Sequence, residues 1–343
     1  MIMENNASIL IIYTGGTIGM CKDHQTGELR PVDLHDLKEY IPNLELFNFS
    51  INSYSFDPII DSANMTPDFW VKLAEVIQEN YETYDGFVIL HGSDTMSYTA
   101  SALSFMLENL NKPVIITGSQ LPLGMIRTDG RENFITSLEI AAAKIDDTPI
   151  VPEVAIYFED KLYRGNRTYK FNAENFDAFK SVNYPHLAEV GVKIRYNHSK
   201  IRNPNFKNLK VIKKLDSAVA IIRLFPGLNR NILHSMLNAE GLKAVVLETY
   251  GAGNASTEDW FVQELEEAIQ NGLIIVNISQ CRGGAVEMGK YETSSRLKAI
   301  GLLNGRDMTT EAAITKLMVA LGTYKTRSEV IKRMETVWRG EMS

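Results

Sequence analysis

Short runs rich in valine and isoleucine recur along this chain, and each gives way to a stretch whose apolar residues follow a helical period. A strand without polar alternation has to be covered on both faces, and crossover helices between parallel neighbours provide that cover. The pattern therefore predicts an α/β fold. Ile9–Tyr13, Gly86–Leu90, Pro113–Thr117 and Val154–Phe158 read as strands, and Leu46–Ile51 as a further one. Thr66 followed by Pro67 has the chemistry of an N-cap with proline at the first helical position. The helix it opens would bury Phe69, Trp70, Leu73, Ala74, Val76 and Ile77 on one broad face. A second helix is expected from Asp129 and Gly130 to Lys144, with Phe134, Ile135, Leu138, Ala141 and Ala142 facing inward.

With 343 residues, 45% of them hydrophobic, the chain can build two separate cores. From Tyr196 to Asp216 it turns rich in Asn and Lys, contains Pro204 and keeps no sustained apolar period. This segment is read as a linker, 196–216, between a larger N-terminal α/β domain, 1–195, with a mostly parallel sheet flanked by helices, and a smaller C-terminal α/β domain, 217–343. The smaller domain is assigned strands Ala218–Arg223, Lys243–Glu248 and Leu273–Ile278, helices near Asn229–Asn238 and Thr257–Asn271, and two closing helices.

The net charge of −7 speaks against a phosphate-backbone partner, which calls for a basic surplus on one face, so no nucleic acid is expected. The only cysteines, Cys21 and Cys281, have neither a disulfide framework nor metal-ligand spacing. The N-terminus has an acidic rather than basic leader and only a short apolar run, Ser8 to Tyr13, which fits a strand better than a signal peptide. Nothing approaches the roughly 18 apolar residues of a membrane span. A cytoplasmic protein acting on a small molecule, without metal or organic cofactor, is the expectation.

Ligands of open parallel sheets bind outside the carboxyl ends of the strands. Three hydroxyl-bearing loops end predicted strands there: Tyr13-Thr14-Gly15-Gly16-Thr17-Ile18-Gly19-Met20, His91-Gly92-Ser93-Asp94-Thr95 and Gly118-Ser119-Gln120. The first admits a purely structural reading, and also phosphate binding, but its glycines do not give G-x-G-x-x-G. A hydroxyl nucleophile needs a neighbour that removes its proton. No G-x-S-x-G elbow exists, and of six histidines only His91 lies in a candidate loop, where packing or hydrogen bonding is favoured over catalysis. The remaining route is a lysine held by a carboxylate, for which Lys170 in Arg164-Gly165-Asn166-Arg167-Thr168-Tyr169-Lys170 is the candidate. On composition alone it reads as a surface lysine.

YTGGTIGM, ILHGSDTMSYTASALSFMLENLNKPVIITGSQ, LYRGNRTYK and YGAGN, in this order and spacing, resemble the bacterial cytoplasmic (type I) L-asparaginases over nearly the whole chain. The resemblance implies hydrolysis of L-asparagine to L-aspartate and ammonia through a threonine acyl-enzyme, with Thr17 as nucleophile. Ser93, standing where members of the family usually carry threonine, Asp94 and Lys170 would complete the catalytic set. Asp61 and Ser62 would hold the α-carboxylate and α-amino ends of the substrate, Asp94 would anchor its ammonium, and Ser119 would orient its amide. The resemblance also implies a homo-oligomer, a dimer of dimers, in which Asn254 of the YGAGN loop reaches a neighbour's pocket. Read by itself, that loop is a turn before a helix.

Two departures stand out. Many members place a tyrosine in the mobile loop after the nucleophile, where this chain offers Leu29 or Arg30, with Gly19 and Gly27 as candidate hinges. Some members bind asparagine at a second, regulatory site through an arginine and a cysteine. Here Cys281 is kept but Glu248 stands for the arginine, which implies weak or absent homotropic activation. The rivals are a glutaminase-asparaginase, the amidase subunit of a tRNA amidotransferase, and a silent amino-acid or nucleotide-binding module. The second is disfavoured by the early first strand and the acidic balance, the third by the presence of a nucleophile set.

Overall fold

The computed structural model describes residues 7–22, 29–31, 41, 44–289 and 292–343, which separate into two compact units, 1–211 and 212–343. Gly27 and most of the loop expected to act as a lid lie outside the described residues, as does the acidic N-terminal leader.

In the first unit an eight-stranded sheet is built from β1 (Ser8–Tyr13), β2 (Ser50–Ser55), β3 (Gly86–Leu90), β4 (Val114–Thr117), β5 (Val154–Phe158), β6 (Lys161–Arg164), β7 (Ala188–Val190) and β8 (Ile194–Tyr196), in the order β8-β7-β6-β5-β4-β3-β1-β2. From β2 to β5 the pairing is parallel; from β5 to β8 it is antiparallel. The parallel strands β3, β4 and β5 are buried at every position, as continuous apolar runs require. The chain leaves β1 for β2 on one side and reaches β3 on the other, so the crossovers diverge between β1 and β3. That is the topological switch point, where a crevice opens at the carboxyl ends.

Helix α1 (Pro67–Asn80) begins as its sequence dictates: the Thr66 hydroxyl accepts from Phe69 N, Pro67 occupies the first turn, and Trp70, Leu73, Ala74, Val76 and Ile77 are buried. Helix α2 (Met96–Met106) is buried over its whole length except Tyr98, and α3 (Gly130–Ala142) packs Phe134, Leu138, Ile140 and Ala141 into the core beneath β1 and β3.

The strand expected over Leu46–Ile51 is displaced. Leu44–Leu46 form a turn of 3-10 helix, Phe47 and Phe49 stack at 4.8 Å between ring centroids, and the strand begins at Ser50. Its sequence SINSYS is polar because β2 is the sheet edge and exposes most of its residues, so burial supplied no apolar run to read. Lys210–Val211 pair antiparallel with Leu107–Glu108, within the first unit.

The second unit carries a parallel sheet β9-β10-β11-β12 (Val219–Arg223, Ala244–Thr249, Ile274–Ser279, Leu303–Asn304). Helices α4 (Arg230–Leu237) and α5 (Asp259–Gln270) bury Leu233, Leu237, Phe261, Val262, Leu265 and Ala268 in one cluster with Val245, Leu247 and Ile275. A helix α6 (Glu292–Ala299), absent from the sequence reading, precedes the two closing helices α7 (Thr310–Thr323) and α8 (Arg327–Glu335). No helix among the described residues is long and apolar enough to cross a membrane.

Candidate active site

The loops after β1 and β3 meet backbone to backbone. Gly15 and Gly16 have φ of +132° and +91°, a region that disfavours any residue with a Cβ. A Cβ on Gly15 would lie 2.1 Å from Ile60 O, and one on Gly16 would lie 2.4 Å from Gly92 N. Gly92 in turn leaves no room beside Ser62, whose Oγ would be 2.5 Å from its Cβ. Three segments, 14–17, 60–62 and 91–93, are therefore in direct contact, with Thr17 and Ser93 each one residue beyond the Gly16–Gly92 approach. Thr17 opens a single turn of 3-10 helix and is half-buried. The other threonine of its loop is committed to the fold: Thr14 is buried and donates its hydroxyl to Leu90 O at 2.9 Å.

In the segment before α1, Asp61 caps a short 3-10 turn by accepting from Ala63 N at 2.9 Å, and its side chain is exposed. Ser62 is 4% exposed, and its carbonyl accepts from Thr95 Oγ1 at 2.7 Å, which ties this segment to the loop after β3.

Lys170 is not a surface lysine. Its side chain is 18% exposed, and its Nζ donates to Ser93 Oγ at 2.9 Å and to Asp94 Oδ1 at 2.5 Å. It reaches this position from a short antiparallel pairing of Tyr169–Lys170 with Phe179–Lys180. The preceding turn is fixed by Arg164, whose guanidinium forms a buried pair with Glu153 at 2.6 Å, and by Thr168, whose hydroxyl donates to Arg164 O at 2.7 Å. Gly165 sits where a Cβ would be 3.1 Å from Ala100 Cβ, so the turn packs tightly on α2.

His91 is fully buried, and burial pulls its pKa down to about 4, leaving it neutral. Nδ1 faces Gly92 O at 2.7 Å, so it carries the proton. Nε2 then accepts from Thr99 Oγ1 at 2.9 Å, and Thr99 accepts from Trp70 Nε1 at 3.0 Å. Both ring nitrogens are occupied, and the histidine supports the loop instead of serving as a base.

The third loop is set by Asp129, whose carboxylate accepts from Gln120 N at 2.9 Å and from Leu121 N at 3.1 Å. Ser119 is 3% exposed and donates its hydroxyl to Leu121 O at 2.6 Å. Gln120 Oε1 stands 3.4 Å from Ser93 Oγ. The sequence reading gave Gln120 no role of its own; the available signal was a carboxamide next to Ser119 in a strand-end loop.

In the second unit, Asn254 closes a tight turn through two backbone hydrogen bonds with Tyr250 at 2.8 Å, and its Oδ1 is buried without a partner among the described residues. Gly253 has φ of +102° and a Cβ there would meet Val286 at 2.7 Å. Glu248 is 7% exposed and engaged: Thr310 Oγ1 donates to it at 2.5 Å and Arg223 Nη1 lies 3.4 Å away, while Cys281 is an exposed free thiol. No group of three His, Cys, Asp or Glu among the described residues is placed to share a metal ion.

Comparison with known proteins finds likenesses across both units. The family description "Asparaginase, N-terminal" matches residues 8–202, and "Glutaminase/Asparaginase C-terminal domain" matches residues 218–334. The chain is 43% identical over 341 residues to L-asparaginase 1 of Escherichia coli K12, covering 98% of each. It superposes on the crystal structure of L-asparaginase I from Vibrio cholerae with a TM-score of 0.89 at 40% identity, covering 98% of this chain and 99% of that one. The thermostable L-asparaginase from Thermococcus kodakarensis also gives a TM-score of 0.89, at 32% identity and the same coverage.

Proposed function

Because this chain belongs to the asparaginase family across both of its units and hydrolyses L-asparagine to L-aspartate and ammonia, we propose that Thr17 is the nucleophile, with Ser93, Lys170 and Asp94 as its proton-handling partners. The observation that carries this reading is Lys170 Nζ, on a side chain only 18% exposed, held 2.9 Å from the Ser93 hydroxyl and 2.5 Å from the Asp94 carboxylate. The Gly16–Gly92 contact supports a common reaction centre, since Thr17 and Ser93 are the residues that follow it.

In the reaction, Thr17 Oγ bonds to the side-chain amide carbon as its proton passes to Ser93 Oγ and the Ser93 proton passes to Lys170 Nζ, which acts as the neutral amine and becomes an ammonium beside Asp94. The carbon–nitrogen bond breaks, the nitrogen receives a proton and leaves as ammonia, and water then cleaves the ester to release aspartate. Asp61 and Ser62 hold the α-carboxylate and α-amino ends, and Asp94 shares the ammonium. Of the pair, the exposed Asp61 carboxylate can accept from the α-ammonium and the Ser62 hydroxyl can donate to the α-carboxylate. Ser119, whose hydroxyl donates a hydrogen bond to Leu121 O, has lone pairs left to accept from the substrate amide.

Asn254, in the turn closed by its backbone pairing with Tyr250, serves the site of a neighbouring subunit in a dimer of dimers, as the family resemblance implies. The enzyme acts in the cytoplasm. Glutamine is the competing substrate, since one methylene is discriminated by only about 1–3 kcal/mol.

Thr17→Ala is expected to lower ammonia release from L-asparagine by at least about 10³-fold. Asparagine-dependent thermal stabilisation should be retained. Turnover at the wild-type rate would remove Thr17 from the mechanism.

A further inference from the structure

Leu121 is gripped at both ends of its own backbone by the residues that open α3. Its N–H donates to Asp129 Oδ1 at 3.1 Å, and its carbonyl accepts from Thr128 Oγ1, also at 3.1 Å. The Thr128 oxygen in turn accepts from Gly130 N at 3.0 Å. Asp129 takes Gln120 N as well, at 2.9 Å, so its carboxylate spans two consecutive amides at the positive end of the helix. On the other side of the loop, Asn133 Nδ2 donates to Gly118 O at 3.0 Å, while its Oδ1 accepts from Glu159 N at 2.8 Å. The helix start also packs against Ser119, since a Cβ on Gly130 would come within 3.1 Å of Ser119 Cβ.

The consequence falls on the Ser119 hydroxyl. It is 3% exposed and donates to Leu121 O at 2.6 Å, a short distance for a hydroxyl donor and well within range. A hydroxyl has one hydrogen and two lone pairs, so with its hydrogen on Leu121 it faces any further partner as an acceptor. That is the polarity an amide N–H requires. A hydroxyl whose hydrogen pointed at the substrate nitrogen would set donor against donor. The direction of the Ser119 hydrogen therefore depends on where the Leu121 carbonyl stands, and Asp129 and Thr128 decide that.

We propose that Asp129 and Thr128 are positioning residues for Ser119: they hold the Leu121 carbonyl where it turns the serine hydroxyl into an acceptor for the substrate's amide N–H, and so favour amide over ester substrates. The inference rests on the role given to Ser119 above.

The test uses two substrates with the same acyl group: L-asparagine, whose leaving nitrogen carries hydrogens, and L-aspartate β-methyl ester, whose leaving oxygen carries none. In both, Thr17 Oγ bonds to the same carbon; the C–N bond breaks and ammonia leaves in the first, and the C–O bond breaks and methanol leaves in the second. A change that only loosens the fold lowers kcat/KM for both and leaves their ratio alone. Ser119→Ala should lower the asparagine-to-ester ratio of kcat/KM about tenfold. Asp129→Asn keeps the side-chain shape but exchanges one acceptor oxygen for a donor, and should lower the ratio about fivefold. The double variant should lie within about twofold of Ser119→Ala, because Asp129 acts through the serine. Thermal melting checks folding. An unchanged ratio in Asp129→Asn, or losses that multiply in the double variant, would overturn the proposal and leave the role of Ser119 standing. An unchanged ratio in Ser119→Ala would refute the reading of Ser119, and the proposal with it. Should Asp129→Asn fail to fold, Thr128→Val decides, since it keeps the size and removes the donor to Leu121: a ratio lowered about threefold upholds the proposal, and an unchanged ratio contradicts it. A wild-type protein that cleaves asparagine but leaves the ester intact would contradict the acyl-transfer reading on which both stand.

Discussion

The chemistry at single residues is governed here by what surrounds each group. His91 and Lys170 are both ionisable groups drawn from solvent, yet they meet opposite environments. His91 faces only a carbonyl, a hydroxyl and apolar walls, so its pKa falls to about 4; Lys170 finds Asp94 at 2.5 Å. The histidine has a measurable consequence. As pH drops below about 6.5, the unfolded chain takes up a proton that the folded chain refuses until about pH 4, so stability declines through that window. The loss attributable to His91 is on the order of 3 kcal/mol. Denaturant titrations at neutral pH and at about pH 4.5 should give a smaller decline for His91→Gln than for the wild type; equal declines would place the titration elsewhere. The sequence favoured packing or hydrogen bonding for His91, and only the family resemblance joined Lys170 to Ser93 and Asp94. Three loops with hydroxyls could be placed at strand ends, but Lys170 read as a surface residue, because a partner in another loop leaves no mark on local composition.

At the level of elements, legibility followed burial. β1, β3, β4 and β5 announced themselves as apolar runs, and their observed bounds depart from expectation by at most a residue. Thr66 and Pro67 marked the start of α1 because capping is local chemistry. β2 was misplaced because an edge strand exposing its residues has no apolar signature. Helix α2 escaped for the opposite reason: buried on nearly every side, it has no polar face to generate a period. The antiparallel strands β6, β7 and β8 are short, and their pairing depends on partners distant in sequence. For the site, the antiparallel half matters as much as the parallel half, since the chain running on from β6 delivers Lys170.

For the whole molecule, each unit contributes a distinct part of the account. Asn254 lies in the second unit, and if it serves a neighbour's site, then Asn254→Ala and Thr17→Ala chains should complement one another when co-assembled. The Asn254→Ala subunit keeps its nucleophile and can borrow an intact Asn254 from the Thr17→Ala subunit. Hybrid assemblies with no more activity than the sum of the parents would exclude a shared site. Glu248, bound by Thr310 and close to Arg223, stands where the family resemblance implies an effector-binding arginine in some members. Velocity against asparagine concentration is accordingly expected to be hyperbolic, with a Hill coefficient of about one; a clearly sigmoidal curve would show that an effector site operates despite Glu248. The proposed mechanism presupposes that Lys170, held by Asp94, drives the hydroxyl chemistry. The most direct test is ammonia release by Lys170→Met, with asparagine binding followed separately by thermal shift. A fall in kcat of about 10³-fold with binding retained is the expected result, and a variant that turns over asparagine as fast as the wild type would contradict the mechanism at its root.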